Sequence, residues 1–268
     1  MELPRGDLAS ILFEAARDDA SFIFDDTITG LSPEGDVTFE RAAPRRFDLV
    51  IGADGLHSNV RRLAFGPESR FVKHIGVFVA TMPVPGLDID PTEIVMYNSP
   101  GKSVTIHPSR SRDKALAAFI YRAPMPAGFN HRDSERHKRM LTDAFDGEGW
   151  IVPQILDRVP ETADLYFDSV SKVRVPSWSR GRIALLGDAA AGVSLFGDGS
   201  SSALVGAFTL ASALGKGPIE SALQEYEGVH RRVVEPRARR VTWASHLLVP
   251  ATRPGIALRN LASRFMPS

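Results

Sequence analysis

In this 268-residue chain, the residues best placed to do chemistry are Asp188 and the glycines around it. The run Ile183-Ala184-Leu185-Leu186 reads as a buried strand and passes into Gly187-Asp188-Ala189-Ala190. A glycine-rich turn, Gly197-Asp198-Gly199, follows, and then an apolar run from Ala203 to Leu214 at helical spacing. A strand that delivers a loop to a helix N-terminus presents free backbone N–H groups, which receive polar or anionic ligand groups. Asp188 falls where the strand should end. A lone carboxylate repels phosphate, so its better role is to accept from a sugar-like hydroxyl. The helix is expected to start near residues 200–202, three serines that can each cap it, with its dipole favouring negative charge in front. An ordinary buried strand and helix with a Gly-rich connector fits the same local pattern equally well.

The elements that must position Asp188 include a second buried strand, Phe47-Asp48-Leu49-Val50-Ile51-Gly52-Ala53. It ends in Asp54-Gly55-Leu56-His57-Ser58-Asn59-Val60-Arg61-Arg62. Together the two stretches resemble the aromatic-hydroxylase type of FAD-dependent monooxygenase. Asp54, Gly55, Ser58 and Arg61 match its Asp-Gly motif. Gly181, Arg182, Gly187, Asp188, Ala189 and Ala190 match its later Gly-Asp motif with a Gly-Arg strand entry.

The resemblance implies FAD as cofactor, contacted by Arg5, Asp54, Gly55, Gly187, Asp188, Ala189, Gly197, Gly199 and Ser200. An arginine at position 5 opens the first helical segment as in that family, although a surface arginine near a terminus fits as well. NAD(P)H is the implied reductant, with one atom of O2 passing to an aromatic or polyketide-like small molecule. Because the cofactor carries the hard chemistry, no catalytic acid or base and no metal is expected. Three positions depart from the usual pattern: Ala191 in place of His, Leu195 in place of Pro, and Asp198 in place of Gln. A carboxylate beside reduced, anionic flavin is unfavourable, so Asp198 is expected to face the helix N-terminus or solvent.

The family's opening Gly-x-Gly-x-x-Gly turn, which holds the ADP half of FAD, does not occur in this sequence. The expectation is therefore a truncated or variant form, completed by a missing N-terminal segment or by a homo-oligomer. Its alternative is a flavin-free remnant that keeps the fold as a binding module.

Composition bounds the rest. Lys+Arg and Asp+Glu are both 32, so no basic surplus points to nucleic acid. There is no cysteine, which removes disulfides and thiol catalysis and fits a cytoplasmic protein. No apolar run approaches the length of a membrane-spanning helix.

The expected fold is α/β (α+β mixed). A partial FAD-binding Rossmann-like domain (residues 1–70 and 176–215) carries an inserted antiparallel-sheet substrate domain (71–175) and a C-terminal helical segment (216–268). Asp7 is a candidate N-cap for a first helix, and residues 21–25 read as a strand. Pro33-Glu34-Gly35-Asp36 and Asn98-Ser99-Pro100-Gly101 are hairpin turns. Strands near residues 77–80, 93–97, 103–107 and 115–121 make a sheet that covers the ligand. Met96, His107 and Tyr121 are the candidate substrate contacts. The charged cluster of residues 131–139 reads as a solvated helix face. Pro236 is expected to end or kink the long C-terminal helix, and the apolar residues beyond Pro250 are expected to dock onto the body.

Overall fold

The computed structural model describes residues 5–87, 90, 93–108, 115–192 and 198–263. The first helix, α1, runs Arg5–Ala16, so Asp7 lies in its first turn rather than at its cap. Strands β1 (Ile28–Leu31) and β2 (Asp36–Phe39) form the expected hairpin, extended by β3 (Arg45–Arg46) into a three-stranded sheet. Residues 21–25 form no strand. No neighbouring strand takes up their backbone groups, and Phe22 and Phe24 instead gather against Phe13, with ring centroids 4.7 and 6.2 Å away.

Strand β4 (Val50–Gly52) leads to α2 (Asn59–Phe65) and a 3₁₀ turn at Glu68–Arg70. The long β5 (Val72–Pro83) then enters a second region with β6 (Val95–Ser99), β7 (Lys102–His107) and β8 (Leu116–Arg122). Helices α3 (Ser134–Phe145) and α4 (Val152–Leu156) follow, and β9 (Tyr166–Val173) returns. The five strands form one antiparallel sheet in the order β6-β7-β8-β5-β9. Asp133 caps α3 by accepting from the Arg136 N–H at 3.0 Å.

One face of this sheet packs on α3 and α4. Phe78, Met82, Ile106, Phe119 and Tyr121 meet Leu141, Phe145 and Ile155 there in a dry core. Each such large side chain contributes about 1.5–3 kcal/mol on burial. Residues directly paired across antiparallel strands share a face. The pairs Met96↔Thr105, Thr105↔Ala118, His107↔Leu116 and Thr81↔Tyr166 therefore lie on the opposite face. Met96, Leu116 and Tyr166 are exposed on it.

The chain re-enters the first region through β10 (Ser179–Arg180), β11 (Ile183–Leu185) and the short α5 (Asp188–Ala191). Helices α6 (Asp198–Leu214), α7 (Ile219–Leu248) and α8 (Arg253–Ser263) complete it. Trp178, Ile183, Leu185, Leu210, Leu223 and Tyr226 form the second core. Helix α7 runs through Pro236 without ending, which leaves the kink as the other expected outcome there. Helix α8 meets the body through a polar contact, Arg259 donating to the Asn98 side chain at 2.8 Å, while Leu258 and Leu261, expected to dock, are exposed. Among the described residues, no helix is long and apolar enough to cross a membrane.

Candidate active site at two parallel strand ends

β4 and β11 run side by side in parallel, with Val50 opposite Ile183 and Gly52 opposite Leu185. The ladder continues for one more bond, from the Leu186 N–H to the Gly52 carbonyl at 2.9 Å. Their carboxyl ends therefore deliver the Asp54-Gly55 loop and the Gly187-Asp188 loop to one place, the position where open α/β sheets take ligands. Gly52 allows α2 to sit close: a Cβ there would lie 2.7 Å from a Val60 methyl. Gly187 has φ +61 and ψ −137, a conformation that side chains avoid. A Cβ on it would come 3.3 Å from the Ala203 Cβ, so α6 closes directly over the strand end.

Arg61 joins the two loops. It is fully buried, and it donates to the Leu56 carbonyl and, at 3.1 Å, to the Ala189 carbonyl. Its remaining charge partner is Glu68, at 3.6 Å. Burial pulls the guanidinium pKa below its usual value, opposed by the charges of Glu68 and Asp54. Asp54 is exposed but committed: one carboxylate oxygen accepts from Ser58 Oγ and the other from the Val60 N–H at 3.0 Å. Ser58 in turn accepts from the Arg61 N–H at 2.9 Å, capping α2. Asp54 thus organises the helix start next to the site.

The sequence-derived residues fall as follows. Gly55, Gly187 and Asp188 are half-buried at the paired strand ends, and Ala189 is buried behind them. Helix α6 begins at Asp198, two residues before the serines at 200–202, so Gly199 and Ser200 lie in its first turn. Gly197 lies outside the described residues, as do the side chains of Arg5 and Asp198. Met96 and His107 belong to the uncovered face of the five-stranded sheet. Tyr121 belongs to the face covered by α3 and is only 5% exposed, with its ring stacked at 5.5 Å from Phe78. Alternation along β8 separates Tyr121 from Ala118 and Ile120, but only packing shows which set is covered.

Residues that spacing did not single out complete the site. His57 stands between Glu68 and Asp168, with ring nitrogens 3.1 and 3.2 Å from their carboxylates. Its imidazole stacks on His131 at 3.9 Å, in the cluster read as a solvated face. His137 of that cluster is also buried, against the Asn130 carbonyl at 2.9 Å. Mixed charge hides such partners, because they lie on other elements. Among the described residues no group of His, Asp and Glu is arranged to hold a metal.

Comparison with known proteins places this arrangement in context. The FAD binding domain family matches residues 32–240. An uncharacterized protein of Mycobacterium tuberculosis is 42% identical over 219 residues, 80% of this chain and 58% of its own length. A flavin-dependent monooxygenase of Legionella longbeachae is 34% identical over 254 residues, 91% of this chain and 64% of its own length. The crystal structure of tetracycline destructase Tet(51) is similar with a TM-score of 0.83 at 29% identity, over 98% of this chain and 75% of that one. The chain therefore spans 58–64% of the length of these two curated relatives. With the matched region containing both strand-end motifs in one site, the chain belongs to the FAD binding domain family.

Proposed function

We propose that this chain forms the flavin-ring and substrate-binding part of an FAD-dependent monooxygenase that uses NAD(P)H and O2. Its substrate would be an aromatic or polyketide-like small molecule. The observation that carries this reading is the Arg61 joint, which holds both motif loops at the ends of parallel strands. The donor set fits the sugar-like chain and ring of FAD. Gly187 leaves room against Ala203, half-buried Asp188 can accept from hydroxyls, and the first turn of α6 presents N–H groups that have no partner within the helix.

FAD, when bound, supplies the redox chemistry. The chain's own contribution is then to orient and to exclude water. Backbone N–H groups at the start of α6 would favour negative charge on the ring's polar edge. The uncovered sheet face, with Met96, Leu116 and Tyr166, offers apolar surface for a flat substrate. The name of the Tet(51) enzyme, tetracycline destructase, supports a polyketide-like class.

The test is the visible absorption spectrum of the purified chain with and without added FAD, followed by NAD(P)H oxidation with aromatic and polyketide substrates. A bound flavin band with substrate-dependent oxidation agrees with the proposal. A colourless chain that takes up no FAD rejects independent activity.

A second reading rests on another observation. Among the described strands β4 pairs only with β11; Ile51 is 42% exposed, and Leu204, Val205 and Phe208 are exposed on α6. An open strand edge beside an apolar helix face fits a further polypeptide segment or a second copy of the chain. FAD uptake that appears only after a relative's dinucleotide-binding segment is supplied would favour it.

A further inference from the structure

The two halves of the molecule are joined by neighbouring strands on one side and by the end of α7 on the other, where Arg122 donates to the Val249 and Ser245 carbonyls at 2.7 and 2.8 Å. β5 leaves the flavin side beside β9: Val72 pairs with Val173, and the Arg174 N–H reaches the Phe71 carbonyl at 2.8 Å. Asp168 lies five residues up β9, roughly 17 Å from that pairing at strand rise. It sits on the face away from α3 and α4, opposite Val79, on a strand whose one partner among the described strands is β5.

His57 spans this gap. Its Nδ1 is 3.1 and 3.2 Å from the two Glu68 oxygens, and its Nε2 is 3.2 Å from Asp168 Oδ1. A ring with a carboxylate at each nitrogen must donate from both, which only the imidazolium does. Burial by itself would lower the His57 pKa, but the hydrogen bonds to Asp168 and Glu68 outweigh it and push it up to about 9. The same hydrogen bond holds Glu68 below the usual carboxylate range. His131 covers the ring in parallel, its planes 4° from those of His57. Burial and the neighbouring His57 charge lower its pKa. The other charges facing the cluster are Arg61, 3.6 Å from Glu68, and Arg132 beside His131.

We propose that His57 is a positioning residue, a charged tie that holds the edge strand β9 against the 54–58 loop beside the strand-end site. The consequence for turnover rests on the flavin reading above; the tie itself does not.

The experiment is a long-range ¹H–¹⁵N NMR titration of the histidine rings in the full chain. It is paired with amide hydrogen exchange at pH 7 in Asp168→Asn and Glu68→Gln. His57 is expected to keep both ring nitrogens protonated at pH 8. Each substitution should lower its midpoint toward the ordinary 6.5, and should speed exchange in residues 54–58 and 166–170 by about tenfold. A wild-type His57 with a single protonated nitrogen at pH 8 overturns the tie. So do substitutions that leave midpoint and exchange unchanged. Because the wild-type titration needs no variant, misfolding of either mutant leaves the proposal decidable. Absence of FAD uptake by the wild-type chain would instead reject the flavin reading, and the ring titration would still decide the tie. Where FAD is taken up, His57→Gln should slow turnover and His57→Arg, which keeps charge and two donors, should restore part of it.

Discussion

The Arg61 guanidinium donates to the Ala189 carbonyl at 3.1 Å, across 128 positions of sequence. A fully buried arginine needs partners for its charge, and here its two terminal nitrogens fasten the Asp-Gly loop to the Gly-Asp loop. The two halves of the candidate site are therefore tied through one side chain.

Arg61→Ala should destabilise the chain by about 3–5 kcal/mol, the usual consequence of deleting a buried, hydrogen-bonded charge. Arg61→Lys should recover part of this, since an ammonium reaches one carbonyl but not both in the same geometry. Urea midpoints at constant slope measure both values. An Arg61→Ala midpoint equal to wild type would show that the loops are held by something else.

Gly187→Ala should cost about 1–3 kcal/mol from the forbidden backbone conformation, and it also wedges a methyl against Ala203. Flavin uptake should weaken more than stability does, because the displaced element is the N-terminal turn of α6. Parallel thermal melts and FAD titrations separate the two effects. Equal losses would argue against a ligand at this turn.

Tyr121→Phe should leave stability unchanged or raise it by up to about 1 kcal/mol. Its buried hydroxyl has no hydrogen-bond partner among the described residues, and burial pushes the phenol pKa up. Substrate affinity should not respond, whereas Met96→Ala should raise KM with little change in melting temperature, because Met96 is exposed on the uncovered face. A KM effect for Tyr121→Phe and none for Met96→Ala would reverse the assignment of the two faces.

Stability should decline with rising pH in the alkaline range. His57 holds its proton up to about 9 when folded, against about 6.5 when unfolded. Between those values the folded chain binds the extra proton, so its contribution is full below 6.5 and lost as pH rises through 9. After discounting for solvent screening, the loss should be about 1–2 kcal/mol. Denaturation at pH 6.5, 8 and 9.5 measures it, and His57→Gln should flatten that slope. A wild-type profile already flat there would contradict a charged His57.

Pro236→Ala should stabilise α7 by roughly 1–3 kcal/mol, because Ala restores the N–H and removes a ring clash in a helix that continues through this position. Thermal melting checks this. A destabilised variant would mean that the helix geometry depends on the proline.

Much of the element order was legible from residue pattern. Hairpin turns at residues 33–36 and 98–101 and both motif strands follow from local rules about glycine, proline and alternation. The miss at residues 21–25 has a local cause: they have strand composition, but no strand among the described residues pairs with them. Pro236 does not end α7, which is long and packed through Leu223, Tyr226 and Val234.

What the sequence by itself determined is the set of strands, turns and helices and the two motifs that mark a flavin-type site. These depend on interactions within a few residues. Tertiary structure decided that β4 lies beside β11, that Tyr121 faces the covered side while Met96 and His107 face the other, and that Asp54 serves its own helix. It also decided that His57 meets Asp168 from 111 positions away. No local period encodes such a partner, because the energy of a buried charge depends on which carboxylates and carbonyls the completed fold brings within hydrogen-bond reach.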